Sequence, residues 1–483
     1  MSQPLHTQFD SIPALAGAVN GREVSAIELA RSALEAITST TGNHLFTHVD
    51  ADLTLQQAEQ VDKAVEQGNA MPLAGVPVAF TNVIATAGWH TTASSKMLAS
   101  YVSPFDATIV RYINAAGGLG MGKLNCDEFG MGSDHETSVH GSPSGPGIPA
   151  ETRAAAATHA AVANGLLLGA ITLPVDGNSR CGLAHWPVSS IRPTYGVASR
   201  FGLVPNNSSM DQPCVIARQV TDLAPLLDSI GAFDPADATS LTQCNRDSNA
   251  PGRILNALSH TRDELNAHPE APLRGMRIGI PERFVNSTGE HAITEQLEQV
   301  LTRLESLGAR RTAVQLDHLD LATPVYRALN AAEASSNLSR YDGVHFGYRA
   351  SDYDDLTDMM AKSRQQAFGD EVKRRILLGT HLLTEANYDR YYVQAQRIRR
   401  LVTHSLSNAL VRDCDLLLAP DACFNDITAG SMLAGLPALT LPGVATDPQD
   451  TPNAVQLVAP HFAEGLLLAV GEYYQQVTQT SAA

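Results

Sequence analysis

Residues Ala107–Lys123, "ATIVRYINAAGGLGMGK", decide the architecture. The first eleven, "ATIVRYINAAG", read as a helix, and "LGMGK" reads as a short strand entered through a glycine turn. Upstream, "VPVAF" (Val76–Phe80) reads as another strand. Strand, helix and strand in that order imply a βαβ unit. The glycines do not make a dinucleotide fingerprint: Gly118 and Gly120 would require a glycine at 123, and that residue is Lys123.

The same alternation extends outward. Ser25-x-x-Glu28 is a capping box, followed on one helical face by Ala26, Leu29, Ala30, Ala33, Leu34 and Ile37. A second helix, "LTLQQAEQVDKAVEQ", stops at Gly68. Downstream, "MRIGI", "DLLLAP" and "PALTLP" read as buried strands, and "NYDRYYVQAQRIRRLVTHSL" as a long helix. The fold class read from this is α/β, with a largely parallel sheet. Residues 234–273 are rich in Asp, Asn, Ser and Pro and read as a linker-like excursion. Strands on both sides of it look like parts of one sheet. The expectation is one domain over 1–483, with a helical N-terminal region of about residues 1–70.

Bulk properties narrow the function classes. The formal net charge is −17, which argues against unaided nucleic-acid binding, since that needs Lys and Arg against phosphates. Six cysteines without a CxxC pair read as reduced thiols. The N-terminus "MSQPLHTQFD" has neither a basic nor an apolar region, so no signal peptide is expected, and the cytoplasm is the expected location. The apolar stretch Ala154–Val175 is broken by Thr158, His159 and Asn164, and reads as a buried helix and strand rather than a membrane span.

Ten strings together resemble the amidase signature family, in particular its glutaminase branch, the A subunit of tRNA-dependent amidotransferases. They are "PLAGVPVAF", "ASSKML", "DATIVRYINAAG", "GKLNCDEFGMGS", "RPTYGVASRFGLVP", "SSMDQ", "LSRYDGVHFGYR", "FGDEVKRRILLGT", "NYDRYYVQAQ" and "LAGLPALTLP". The resemblance spans most of the chain. It implies the amidase-signature fold, a large, mixed, mostly parallel twisted sheet between helices, and amide hydrolysis by a Ser–cis-Ser–Lys triad. This sequence departs from it at all three positions. The lysine position in "VPVAFTN" is Thr81, the cis-serine position in "TRAAAAT" is Ala154, and the nucleophile position, counted back from "RPTYG", is Asn178. Arg180 matches the motif arginine.

The chemical consequence is severe. Amide hydrolysis needs a nucleophile within reach of an activating base. Asn178 offers no such oxygen, Ala154 relays no proton, and the Thr81 hydroxyl stays protonated near neutral pH. The oxyanion turn is altered as well. Asp176 stands beside Gly177 where the family has a glycine, and its carboxylate would oppose a developing oxyanion. Alanines in place of loop glycines favour helix by about 1 kcal/mol each. A non-proline cis bond costs about 3 kcal/mol, so the peptide bond at Ala154 is expected to be trans.

Cys181 offers a substitute nucleophile with His185 or His159 as base, against the commoner reading of a small buried side chain. Tyr326, Arg375 and Asp426 match positions that hold the amino-acid end of glutamine in the glutaminase branch. Arg suits a carboxylate fork and Asp an ammonium. The opposing reading is a structural ion pair on a helix. Asp134, His135, Glu136 and His140 fit no metal spacing, and "KRR" (373–375) reads as a helix face. No metal and no cofactor are expected.

The leading functional expectation is a catalytically degenerate amidase homologue that keeps a pocket for a small amide or amino acid and acts as a non-catalytic partner or regulator. The alternatives are an active C–N hydrolase with relocated chemistry, or the A subunit of a tRNA-dependent amidotransferase complex. Whether the chain is an enzyme stays open at this point. Neither direct nucleic-acid contact nor membrane insertion is expected.

Overall fold

The computed structural model describes residues 4–40, 42–132, 136–144, 156–173, 186–241, 252–282, 291–420, 426–443 and 454–482. After α1 (Ile12–Asn20), α2 (Ala26–Thr38) starts on the capping box read from sequence. Ser25 Oγ accepts from Glu28 N at 3.1 Å, and the Glu28 carboxylate accepts from Ser25 N at 3.0 Å. The six apolar positions named on this helix are all buried. Next come β1 (Phe46–His48) and α3 (Ala51–Glu66), the latter capped by Asp50 and ended at Gly68, whose φ is +88°.

The βαβ unit is built as read. β2 (Pro77–Thr81), α4 (Thr108–Ala115) and β3 (Leu119–Leu124) follow one another, and β2 pairs parallel to β3. Gly117, at φ +92°, makes the turn between helix and strand. The remaining elements are α5 (Ala156–Ala163), β4 (Gly169–Thr172), β5 (Ser189–Arg192), β6 (Cys214–Ala217), α6 (Val220–Ile230), α7 (Arg253–Asn266) and β7 (Arg277–Pro281). They continue with α8 (His291–Ser306), β8 (Arg310–Val314), α9 (Ala322–Asn337), α10 (Leu356–Ala367) and α11 (Asp370–Leu382). A helical turn (Glu385–Asn387) and a π-helical segment (Tyr388–Val393) then lead into α12 (Gln394–Arg412). The last elements are β9 (Leu416–Pro420), α13 (Asp426–Ala434), β10 (Ala438–Leu441), β11 (Val455–Val458) and α14 (Glu464–Ala482).

Eleven strands among the described residues form one mixed sheet in the order β1-β3-β2-β4-β6-β5-β10-β11-β9-β7-β8. Parallel pairing is confined to β3-β2-β4 and β9-β7-β8, and the other pairings are antiparallel. The sheet is therefore mixed but not mostly parallel. Short buried runs report burial on both faces and carry no information on strand direction.

The stretch read as linker-like contains α7, which packs on α14 and α6. Its buried apolar positions are only Ile254 and Leu258. Much of its anchoring is ionic: Arg262 reaches Glu472 at 2.5 and 2.8 Å, and Arg253 reaches Glu464 at 3.5 Å. Such a helix shows little apolar periodicity.

The main core lies on both sides of the sheet, and a second cluster lies under α9, α12 and α13. Among the described residues no helix is long and apolar enough to cross a membrane.

Candidate active site

β2 lies between β3 and β4, parallel to both, so the carboxyl ends of the three strands share one edge of the sheet. Open α/β sheets place ligands outside such edges. Thr81 is the last residue of β2, a strand buried throughout. Its Oγ1 donates to the Ile171 carbonyl on β4 at 3.1 Å. The hydroxyl is therefore spent on tying two strands together, and it offers no base. β4 ends at Thr172. α5, which packs on β4, opens two residues after Ala154, within the alanine run that favours helix. Ala154, Asp176, Gly177, Asn178, Cys181 and His185 lie outside the described residues, as does the peptide bond at Ala154. His159 is fully buried on α5.

A lysine does exist on the neighbouring strand. Lys123 is on β3, fully buried, and its Nζ donates to the Ile84 carbonyl and to Thr86 Oγ1, the latter at 3.1 Å. Burial pulls its pKa down from 10.5 to about 7. Strand register decides whether it replaces the missing base. Phe80 pairs with Lys123 and Thr81 with Leu124. Paired residues share a face and successive residues alternate, so Lys123 points to the face opposite Thr81. It is not a substitute triad lysine. The sequence signal for it was a lysine set among small and apolar residues in "LGMGKL".

The second group sits on helices. Thr323, Tyr326 and Asn330 lie at i, i+3 and i+7 on α9, one stripe of its surface. Thr323 Oγ1 makes a short hydrogen bond to the Asp426 carboxylate at the start of α13. Asn330 Oδ1 accepts from Arg375 Nη1 on α11 at 3.3 Å. Tyr326, 1% exposed, packs in the second core cluster. Thus α9 gathers Tyr326, Arg375 and Asp426 along one face, with the two bonded positions about 10 Å apart at 1.5 Å rise per residue. Arg375 also donates to Glu371 Oε1 at 2.8 Å, an i,i+4 ion pair. The structural ion pair weighed from sequence is therefore present, and it sits where the ligand-holding reading also puts Arg375.

Two further residues hold this arrangement, and neither was read from sequence. Gly379 lets α11 press against α9: a Cβ there would stand 1.9 Å from the Ala331 carbonyl oxygen. Glu128, on the loop after β3, is buried. Its Oε1 accepts from Ser95 Oγ at 2.5 Å and its Oε2 from Gly369 N at 2.8 Å, next to the first residue of α11. Burial raises its pKa to about 7. Its partner Gly369 is 241 residues away, so no local pattern announces the contact.

Among the described residues no group of three His, Cys, Asp or Glu side chains is placed to hold a metal ion. Asp134 and His135 lie outside the described residues, and His140 Nε2 is 3.3 Å from Thr92 Oγ1. "KRR" forms part of α11, where Lys373 pairs with Asp370 and Arg374 with Glu371.

The family model for Amidase matches residues 28–468. The chain belongs to the amidase family. Among its curated relatives, the A subunit of glutamyl-tRNA(Gln) amidotransferase from Bordetella petrii is 44% identical, covering 99% of this chain and 97% of the relative. The protein of the same name from Ralstonia pickettii is 39% identical, covering 97% of each. Among solved structures, the glutamyl-tRNA(Gln) amidotransferase A subunit of Thermotoga maritima superposes with a TM-score of 0.70 at 28% identity, covering 93% of this chain and 91% of that one. The native peptide amidase of Stenotrophomonas maltophilia reaches a TM-score of 0.78 at 24% identity over 97% of both chains, a likeness of fold.

Proposed function

We propose that this amidase-family chain is an A-subunit-type component of an amidotransferase-like assembly, and that it contributes binding and architecture rather than amide hydrolysis of its own. The observation that carries the second half is Thr81. Where the family places a lysine base, this chain has a hydroxyl already donating to Ile171 O. Asn178 and Ala154, read from sequence, remove the nucleophile and the relay. Removing one member of a comparable triad already costs several powers of ten in rate. Full-length likeness to relatives named as amidotransferase A subunits supports the first half.

In this reading Tyr326, Arg375 and Asp426 hold the amino-acid end of a small amide. The Arg375 fork takes the carboxylate and Asp426 the ammonium. The chain acts as one unit in the cytoplasm, without a cofactor.

The test is ammonia release from glutamine and asparagine by purified protein, alone and with the other amidotransferase subunits of the same genome. The expected result is no release above background, with complex formation. Release that persists after contaminants are excluded refutes the non-hydrolytic half and makes Cys181 the next residue to mutate. The combined variant Thr81→Lys, Ala154→Ser, Asn178→Ser, Asp176→Gly asks whether the grip on substrate survives: regained release shows that it does.

A further inference from the structure

The outer surface of α11, the π-helical segment and α12 is apolar and arginine-rich. Leu377 is 70% exposed, Leu401 48%, Tyr388 42%, Tyr391 39% and Leu378 38%. Large exposed apolar side chains gathered on consecutive segments are the kind of surface that protein partners cover. The segments are tied together. Asn387 Nδ2 lies 3.2 Å from the His381 ring nitrogen, Tyr388 stacks on Tyr392 at 5.2 Å, and Arg390 lies over the Tyr391 ring at 5.3 Å. Six residues of π-helix are rare, and such segments concentrate at functional positions.

Charge says what fits here. Asp370–Arg412 carries eight Lys or Arg against four Asp or Glu, in a chain with a formal net charge of −17. Asp370 and Glu371 are already paired with Lys373, Arg374 and Arg375. The exposed Arg390, Arg397 and Arg400 make no ion pair among the described residues. Arg with Tyr and Leu, and a single Lys among eight cations, is the composition of a protein interface core. A phosphate backbone would leave the exposed leucines without partners.

We propose that this face docks a partner subunit presenting acidic side chains around an apolar centre. The proposal rests on the functional reading above and locates its contact. It also links contact to site: α11 turns Leu377 outward and Arg375 inward to Asn330, so a docked partner holds the helix that carries Arg375.

The test uses the full-length chain, its Arg397→Glu/Arg400→Glu and Leu377→Asp variants, and as probes the remaining amidotransferase subunits of the same genome and bulk tRNA. Sedimentation velocity reads complex formation, and thermal melting confirms that the variants fold. The expected result is a complex with the other subunits that both variants weaken by about tenfold or more. Variants that bind those subunits like wild type overturn the surface and leave the functional reading intact. Wild type that binds none of them overturns both. If wild type binds tRNA, or self-associates, and the variants lose that instead, the face belongs to nucleic acid or to a second copy, and the proposal fails.

Discussion

Gly379→Ala should destabilise the protein, although the same change in an exposed helix normally stabilises it. Replacing a helical glycine gains about 1 kcal/mol from backbone entropy. At Gly17, exposed on α1, nothing lies within 4 Å of an added Cβ, so that gain should appear in full. At Gly379 the added carbon would meet Ala331 O at 1.9 Å, Ala331 C at 2.6 Å and Ser335 Cβ at 2.7 Å. An unstrained carbon–oxygen approach is about 3.3 Å, so α9 and α11 must separate by roughly 1.4 Å. The obstacle is backbone within a helix and cannot rotate away. Overpacking of this severity sits near the top of the usual range, about 3 kcal/mol, which leaves a net loss of about 2 kcal/mol. Unfolding entropy of about 2.1 cal/mol/K per residue over 483 residues gives about 1 kcal/mol/K for one cooperative unit. Calorimetry should therefore show Tm about 2 °C lower for Gly379→Ala and up to about 1 °C higher for Gly17→Ala. Hydrogen exchange should rise in α11 for the former. A Gly379→Ala protein that melts at or above wild type would refute the close approach of the two helices.

Lys123→Met should stabilise, and more at pH 7 than at pH 10. The folded-state pKa lies below the unfolded value, so the lysine's neutral form favours folding, and that advantage is lost as pH falls from 10.5 toward 7. The gap between variant and wild type, read from urea midpoints, should widen by roughly 3 kcal/mol over that range; a constant gap would contradict a buried neutral lysine. Glu128→Gln tests the opposite sign. Its folded pKa is raised from 4.5 to about 7, so wild type loses stability as pH rises through that window while the variant stays level. Their difference should grow by about 2–3 kcal/mol between pH 5 and pH 8 in the same assay. Arg375→Ala removes the i,i+4 pair with Glu371 and the bond to Asn330 among its contacts, and should lower stability by about 1 kcal/mol. Calorimetric titration with glutamine should show an affinity loss of about tenfold or more. A large stability loss with unchanged binding would assign Arg375 to structure alone.

The sequence by itself determined the local units, and it puts Thr81, Ala154 and Asn178 at the positions that the resemblance matches to a triad. The capping box at Ser25 and the glycine turn at 117 are set by neighbours a few residues apart and form as read, and the strand read over Val76–Phe80 forms one residue later, over Pro77–Thr81. Thr81 was matched to a lysine position because motifs on both sides set the register. What only tertiary structure decided depends on contacts remote in sequence. Strand direction follows from how the eleven strands assemble, so antiparallel pairs were hidden in short apolar runs. α7 was hidden because distant carboxylates on α14 hold it. Lys123 needed the β2–β3 register to show that it faces away from the triad edge. Glu128 to Gly369, Gly379 to Ala331 and Arg375 to Asn330 join segments whose proximity no spacing encodes. Side-chain chemistry is written along the chain, but which face a residue turns to, and what it meets there, is fixed only when the sheet and its helices pack.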